Sequence, residues 1–559
     1  MILKRFFEKQ LVMIVTPFAR LALLVFLGAV YFSLIPKIAA STKGVALVDL
    51  KLGDYLQQVM QHNEAVQAQL LEVEVSHRKN TAEMGIFEPK FKSSVTYEAN
   101  KRTNNVSQAA AQNNQGIFKE NNTLYDSGLE SELPTGGKVH LGYTMSNLGN
   151  NVNPNSSLFT SPTNNNYWNR QYQTFVGATF TQPLLKDAGL TPTLANLRLT
   201  ALDSDIAFQE YRRQLMLTIF KAEDAYWNLY FSQEQVRFFD QSISVAQSVL
   251  DDSREKLKIG QGSELDMMEA QSALALRSTK RNNALQEYYD AVENLQVLMG
   301  VSPSPSPAGP VGSTFHVTDT PRETSAAISY SENFEQAFSL NPDYLIQQTK
   351  IKEQLLRMGV AKNQILPDLS LLGAYGFNGL GTTPVNSWDS AQSGAYPSWS
   401  IGMELTVPLD GNIKERNLYQ ASKLTLSEAY LRFKGVQTEI SYGLNTAIQK
   451  AGAWEQSIQS YQTVVHYNEE LLKTQLERLK AGRVDGHKVM EVEADLLDAR
   501  QELANALTQY QRALNQVELV AGSILKNRNL DLTRAELKQR TTLLLDGASA
   551  PAAPVSTSN

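Results

Sequence analysis

The sequence predicts a mainly helical fold with a smaller β part. Long antiparallel coiled-coil helices should form an α-helical barrel that continues into a transmembrane β-barrel shared between protomers. Three observations predict this fold: an internal repeat, a stretch of about 64 residues without proline or glycine, and alternating strands of membrane length between the helices.

The chain contains two copies of one unit. The opening segments of the copies, Leu52–Pro89 and Ser331–Pro367, align at an offset of 278 residues, whereas the segments around Gly260 and Gly482 align at an offset of 222. The change of offset places an insertion in copy one, mostly between residues 89 and 183. We therefore divide the chain into a signal peptide (1–40), a first repeat (48–300), a linker (301–329), a second repeat (330–522) and a flexible C-terminal tail (523–559).

The N-terminus has the pattern of a secretory signal. Basic residues such as Lys4 and Arg5 precede the apolar run Leu21–Ile35, which ends near the small residues Ala39 and Ala40. This run is shorter than the ~20 residues that span a bilayer. Cleavage near Ala40 is therefore favoured over the alternative, an uncleaved single-span anchor.

Hydrophobic periodicity predicts the helices. A seven-residue period runs from Leu215 to Leu257 in copy one and from Ile440 to Leu479 in copy two, which predicts coiled-coil packing. The proline-free stretch in copy one would form a helix about 96 Å long. An opening helix (about Leu50–Gly85) and a closing helix (about residues 264–299) are each near half that length. We expect the two half-length helices to stack end to end beside the long one.

Between the helices the hydrophobic period becomes two. Apolar and polar residues alternate over residues 91–99, 172–180, 369–377 and 399–407, and strands of about ten residues cross a bilayer when tilted. The sequence also predicts an extra hairpin in copy one, with its turn at Leu133–Lys138, which leaves open whether each chain adds more than four strands. A lipid-facing sheet must close, and barrels begin at ~8 strands. Several copies must therefore share one barrel; three copies with four strands each would give twelve.

Composition excludes several classes of protein. The net charge of −6 gives no electrostatic reason to expect nucleic acid. The chain has no cysteine, which excludes disulfides, thiolate metal sites and a cysteine nucleophile. The six histidines show no paired-ligand spacing, and no phosphate-binding or nucleophile-elbow motif is present. The sequence therefore predicts neither an enzyme nor a cofactor.

The doubled unit, the strand boundaries at Pro367 and Pro408, the Leu-Lys-x-Gly tips and the stretch Ala499–Ala506 together resemble the TolC family of outer-membrane channel and efflux proteins. The resemblance covers about residues 48–522. It implies a homotrimer with a twelve-stranded barrel in the outer membrane, in contact with lipid, and a long helical tunnel through the periplasm. It also implies two partners, a periplasmic adaptor (membrane fusion) protein and an inner-membrane transporter. The function implied is an exit duct for efflux or type I secretion.

The resemblance also implies a constriction at the periplasmic end. In the family, acidic residues narrow this end just after the tip glycine of copy two. The matching positions here are Lys488 and Glu491, and copy one has Asp266 and Glu269. Because Lys488 precedes Glu491 by three residues on a helix, an ion pair is an alternative to a purely acidic ring. Solvated charge on helix faces is the simpler alternative for each of these residues.

The helix tips are the candidate docking surface for an adaptor. Glycine permits the left-handed backbone that often ends a helix, and a glycine stands at each reversal. The candidate residues are Gly260, Gln261, Gly262 and Ser263 in copy one and Gly482, Arg483, Val484 and Asp485 in copy two. A reversal without a partner is the alternative.

Two competing functions remain open at this stage, an adaptor and a structural coiled-coil protein of the cell envelope. An adaptor should carry soluble β-rich segments around a single helical hairpin, whereas this chain has two long hairpins. The aromatic-containing strands between the helices argue against a purely structural coiled coil.

Overall fold

The structure is a computed structural model that describes residues 47–106, 117–151, 169–301, 314–324 and 328–548. The predicted signal peptide lies outside the described residues. The chain divides into two compact units. The small unit comprises Met1–Val48 and Ser304–Phe315, and little of it is described; the large unit comprises Asp49–Pro303 and His316–Asn559. Two short strands, β1 (Leu47–Leu50) and β6 (Thr314–Val317), pair with each other.

Both copies show the predicted order of opening helix, strands, long helix and closing helix. The helices of copy one are α1 (Leu52–His62), α2 (Glu64–Glu83), α3 (Leu190–Thr193), α4 (Ala195–Lys258) and α5 (Glu264–Leu298). Those of copy two are α6 (Tyr330–Leu340), α7 (Pro342–Gln364), α8 (Pro384–Gln392), α9 (Ile413–Lys480) and α10 (Gly486–Ala521). The long helices α4 and α9 have 64 and 68 residues, so each extends for about 100 Å.

Each opening helix is broken at an asparagine, where we predicted one continuous helix in copy one. Asn63 accepts a hydrogen bond from the N–H of Val66 and caps α2, and Asn341 does the same for α7 through Tyr344. Asparagine is among the preferred N-cap residues because its side chain satisfies a free N–H of the first turn. The helical period continues across the break, so periodicity alone did not reveal it.

The two half-length helices of each copy meet end to end, which confirms that prediction. The Asn63 Nδ2 donates a hydrogen bond to the carbonyl of Leu298 at 3.2 Å, so α5 ends where α2 begins. In copy two the Asn341 Nδ2 donates to the carbonyl of Val520 at 3.0 Å. Helices α2 and α5 both pack along α4, and α7 and α10 both pack along α9.

The predicted seams are buried. In α4 the residues with at most 2% exposure include Leu215, Ile219, Ala222, Leu229, Ala246 and Leu250. In copy two, Ala451 and Ile458 of α9 pack against Ala506, Tyr510 and Ala513 of α10. The small alanines allow the two backbones to approach closely, as expected from their seam positions.

The main sheet has six antiparallel strands. They are β2 (Lys90–Thr103), β3 (Ile117–Glu132), β4 (Lys138–Asn150), β5 (Asn169–Pro183), β7 (Asp368–Gly381) and β8 (Pro397–Thr406), in the order β2-β3-β4-β5-β7-β8. The expected extra hairpin is β3–β4, closed by a turn in which Leu133 N–H donates to the carbonyl of Gly137 at 2.7 Å. Among the described residues the sheet therefore has six strands, which answers the question that the sequence left open, whether each chain adds more than four.

The sheet has one apolar and one polar face. Alternate residues of β8, namely Trp399, Ile401, Met403 and Leu405, are each more than 60% exposed. They lie on the same face as Leu369, Leu371 and Tyr375 of β7 and Phe180 and Val176 of β5. The opposite face carries Ser398, Ser400 and Glu404 of β8 and most of the charged residues of β2–β4. Helix α8 covers part of the apolar face, where the Ser387 and Thr174 hydroxyl oxygens lie 2.6 Å apart.

The C-terminal segment is packed, which corrects the prediction of a flexible tail as far as residue 545. It forms α11 (Ile524–Asn527) and α12 (Arg534–Ala548). Ile524 is fully buried, and Arg528 Nε lies 2.6 Å from Oε1 of Glu223, which has no exposed surface. Asp531 forms a second ion pair with Arg212 of α4 at 3.0 Å. Buried apolar side chains and paired charges thus hold this segment on α4.

Among the helices in the described part of the chain, none combines the length and the apolar character that a membrane-spanning helix requires.

Candidate functional site at the helix tips

Both long helices end in the same capping motif. At the end of α4, Gly260 N–H donates to the carbonyl of Leu257 and Gln261 N–H donates to that of Lys256. This pair of hydrogen bonds is a Schellman motif, whose residue after the helix adopts a left-handed backbone. The φ angles of Gly260 and Gly482 are +69° and +67°, so the predicted conformational role of both glycines is confirmed.

The helices that follow the tips begin with side-chain caps. Ser263 caps α5 by accepting from the N–H of Leu265 at 3.1 Å, and Asp266 accepts from the N–H of Ser263 at 3.3 Å in return. Asp485 caps α10 by accepting from the N–H of Lys488 at 3.1 Å. Asp266 was predicted to line the constriction, but its carboxylate is engaged in this capping box.

The two tips of one chain lie side by side. The Lys256 ammonium donates to the carbonyl of Leu479, the last turn of α9, at 3.2 Å. A cavity of about 380 Å³ opens between the tips. The docking candidates that line it are Gln261, Gly262, Gly482, Arg483, Val484 and Asp485. Residues predicted separately from two distant parts of the sequence therefore form one surface.

Lys488 and Glu491 pair as the helical spacing suggested. The Lys488 Nζ lies 2.6 Å from Oε2 of Glu491, and both side chains are about half exposed. The hydrogen bond from Lys488 lowers the pKa of the Glu491 carboxyl below its ordinary value, and the same bond raises the pKa of Lys488. Within one chain, the pKa of Glu491 thus moves in the direction opposite to the one that repulsion between acidic side chains would produce.

Glu269 reaches the same region from copy one. Its Oε2 lies 3.8 Å from Nδ1 of His487 in the first turn of α10. Three of the four predicted constriction residues, Glu269, Lys488 and Glu491, therefore lie around the start of α10. His487 was not among the predicted residues, because nothing in its spacing distinguished it from a surface histidine.

A buried ion pair, also missed by the sequence analysis, connects the two hairpins behind the tips. The Arg277 Nε lies 2.9 Å from both Oε2 of Glu493 and the hydroxyl of Ser242, which joins α5, α10 and α4. The side chains of Arg277 and Glu493 are 10% and 5% exposed. Glu493 is buried and therefore does not contribute to the surface of the tips. The sequence did contain a signal for this pair: the repeat aligns Arg277 with Ala499, a seam position, so a charged side chain stands where the other copy has a small apolar one.

No cluster of three or more histidine or carboxylate side chains suited to holding a metal ion occurs among the described residues. The main features of the tip region are its helix caps, its paired charges and an exposed cavity.

Residues 334–523, which span copy two from α6 to just past α10, match the family described as outer membrane efflux protein. This match covers copy two alone, and it agrees with the resemblance inferred from the tips and the repeat. A comparison with curated proteins gives no match.

Solved structures of outer-membrane channels share the fold of this chain at low sequence identity. The Campylobacter jejuni CmeC outer membrane channel is 14% identical, with a TM-score of 0.56 over 90% of this chain and 94% of that one. The outer membrane protein VceC from Vibrio cholerae is 14% identical, with a TM-score of 0.56 over 84% and 96%. The open-state Neisseria gonorrhoeae MtrE channel is 14% identical, with a TM-score of 0.54 over 89% and 96%. These likenesses support the predicted fold class of a helical barrel with a β part.

Proposed function

We propose that this protein is the outer-membrane exit duct of a tripartite efflux or type I secretion system. It would let cargo pass without using energy itself, while an inner-membrane transporter supplies the driving force. The family gives the outer-membrane efflux role. One observation supports the proposal most strongly: in a single chain, a sheet with one apolar face continues into helices about 100 Å long.

The two edges of the sheet argue for a shared barrel. Strands β2 and β8 lie at opposite edges, and each has its outer row of N–H and C=O groups without a strand partner among the described residues. Such groups cannot remain unpaired in hydrocarbon. Because β2 and β8 run in opposite directions in a six-stranded antiparallel sheet, β2 of one protomer can pair with β8 of the next. We propose a homotrimer closed in this way, with outer-membrane lipid against the apolar face.

The remaining assignments follow from this role. A cleaved signal at residues 1–40 would deliver the chain to the periplasm, and copies 48–300 and 330–522 would build the helical tunnel there. The family consists of channel proteins, not of enzymes, and we propose that this chain has no catalytic activity, no cofactor and no nucleic-acid partner.

Fractionation and conductance together test the proposed function. The protein should sediment with the outer membrane and migrate differently on gels before and after heating. In planar bilayers the purified protein should conduct ions without a nucleotide. A soluble periplasmic location, or bilayers that stay closed after its insertion, would exclude an exit duct.

The tip cavity is the proposed docking surface for the periplasmic adaptor. Gln261→Trp or Val484→Trp should lower export by about tenfold or more, because a tenfold loss needs only about 1.4 kcal/mol of docking free energy. Neither substitution changes a left-handed glycine. Export of a pump substrate from whole cells is the measurement.

Lys473→Trp, on the exposed shaft of α9, is the matched control and should export normally. Normal export by both tip variants would show that docking occurs elsewhere.

The Lys488–Glu491 pair should set the charge of the periplasmic mouth. Glu491→Gln should lower cation selectivity, and Lys488→Ala should raise it at neutral pH, because the carboxylate then lacks its cation. Since Lys488 lowers the pKa of Glu491, Lys488→Ala should lose its selectivity at a higher pH than the wild type during acidification. Reversal potentials in bilayers between pH 7 and pH 4 measure this. Identical pH profiles for both proteins would contradict the role of the pair, and Glu269 would be tested next.

A further inference from the structure

The inserted hairpin β3–β4 is built into the wall of the sheet. Its two strands have 16 and 13 residues, as long as their neighbours. Strand β3 pairs with β2 from Lys90↔Glu130 to Thr103↔Ile117, and β4 pairs with β5 from Lys138↔Thr181 to Asn150↔Asn169. The hairpin thus separates β2 from β5 over the full height of the sheet.

The hairpin has the same two faces as the rest of the sheet. Three apolar residues of the hairpin extend the apolar face of the sheet. Leu129 pairs with Phe91 of β2 and with Leu141, and Tyr143 pairs with Val176 of β5. The polar face of the hairpin carries Glu130 paired with Lys92, and Asp126 with its Oδ1 3.6 Å from Nε2 of His140. A hairpin outside a membrane barrel would not need an apolar face of this kind.

A row of glycines crosses the polar face through the hairpin. Gly128, Gly142, Gly177 and Gly376 are paired in register on four neighbouring strands. A Cβ at Gly177 would lie 2.7 Å from Cζ of Phe175, so this ring lies flat against the wall. The imidazole of His140 covers Gly142 in the same way. Along this row of glycines, side chains therefore extend only a short distance from the polar face of the sheet.

We propose that the inserted hairpin widens the shared barrel to eighteen strands, so that the outer-membrane opening is as wide as the helical tunnel and passes bulky, hydrated cargo. The inference rests on the proposed trimer. Strands about 4.8 Å apart and tilted by about 40° each occupy about 6.3 Å of circumference. Eighteen strands give a barrel about 36 Å across, and twelve give about 24 Å.

The helical tunnel provides the width for comparison. Each chain supplies four helix positions, namely the long helices α4 and α9 and the stacked pairs α2 with α5 and α7 with α10. Twelve positions in a trimer, spaced 8–10 Å apart, give a ring about 31–38 Å across. An eighteen-stranded barrel matches this ring, whereas a twelve-stranded barrel would narrow the path where strands meet helices.

Size-graded labelling of a single cysteine tests the proposal. The chain has no native cysteine, so Thr179→Cys, on the polar face of β5, would be the only site for maleimide-polyethylene glycols of increasing size added outside the cell. Three proteins carry this cysteine: the full chain, a variant in which a short turn joins Thr103 to Asn169, and a control. The control keeps both strands but shortens the connections at residues 107–116 and 152–168.

The full chain and the control should accept larger reagents than the variant without the hairpin. An equal size limit for the hairpin-deleted trimer and the control would overturn the proposal. Failure of the full chain to form an outer-membrane trimer would instead contradict the proposed function. If the deleted variant does not assemble, an electron cryomicroscopy map of the full chain decides the matter. Eighteen strands around the axis are expected, and a twelve-stranded barrel with β3–β4 outside it would overturn the inference.

Discussion

Arg277→Met should lower the free energy of unfolding of the helical part by about 3–5 kcal/mol, because it leaves the Glu493 carboxylate buried without a cation. Arg277 donates to both Glu493 and Ser242 and lies on the seam of α5. Its loss therefore affects three helices at once. Urea unfolding of the purified protein, followed by far-ultraviolet circular dichroism, measures the change.

The double variant Arg277→Met, Glu493→Met provides the control. Replacing both partners of a buried ion pair by apolar side chains of similar volume is often neutral or stabilising. The double variant should therefore recover most of the stability that the single variant loses. A single variant as stable as the wild type, or a double variant no better than the single one, would show that the pair does not connect the hairpins in the assembled protein.

Ile401→Lys should severely reduce barrel assembly, whereas Ser400→Lys, one residue away, should have little effect. Ile401 lies on the apolar face of β8 and is 70% exposed, and Ser400 lies on the polar face. A lysine on the lipid face of a membrane barrel costs about 2–4 kcal/mol near the midplane. A trimer would bear this cost three times.

The yield of heat-modifiable oligomer in the outer membrane measures this pair of variants. The two substitutions introduce the same side chain into the same strand, so differences in expression or charge are controlled. Equal yields would mean that the apolar face does not contact lipid. A loss for Ser400→Lys alone would reverse the assignment of the two faces.

Periodic burial made much of the fold predictable. The heptads of α4 and α9 follow from a seam that repeats every seven residues, and buried residues such as Leu215 and Ile458 lie where the period placed them. Strand alternation likewise predicted the apolar face of β8. The break at Asn63 was not predictable in this way, since a capping asparagine replaces one residue without shifting the period.

The candidate site was predictable only where one local rule sufficed. The left-handed Gly260 and Gly482 follow from the geometry of a helix end, and the Lys488–Glu491 contact follows from a spacing of three residues. The Arg277–Glu493 pair joins residues 216 positions apart on different helices. No periodicity encodes such a contact, so only the packing of the hairpins shows it.

Disulfide trapping across the edge strands tests the central claim, a barrel shared between protomers, most directly. Cysteines would be placed in pairs on the polar face, at Ser94 or Thr96 of β2 together with Ser398 or Ser400 of β8, in a chain that has no other cysteine. A disulfide requires Cα atoms within about 7 Å, so it forms only where the two edges pair. Closure between three protomers predicts covalent dimers and trimers, with the trimer as the largest species after oxidation in the outer membrane. Monomers alone, whether unlinked or closed within one chain, would contradict the account.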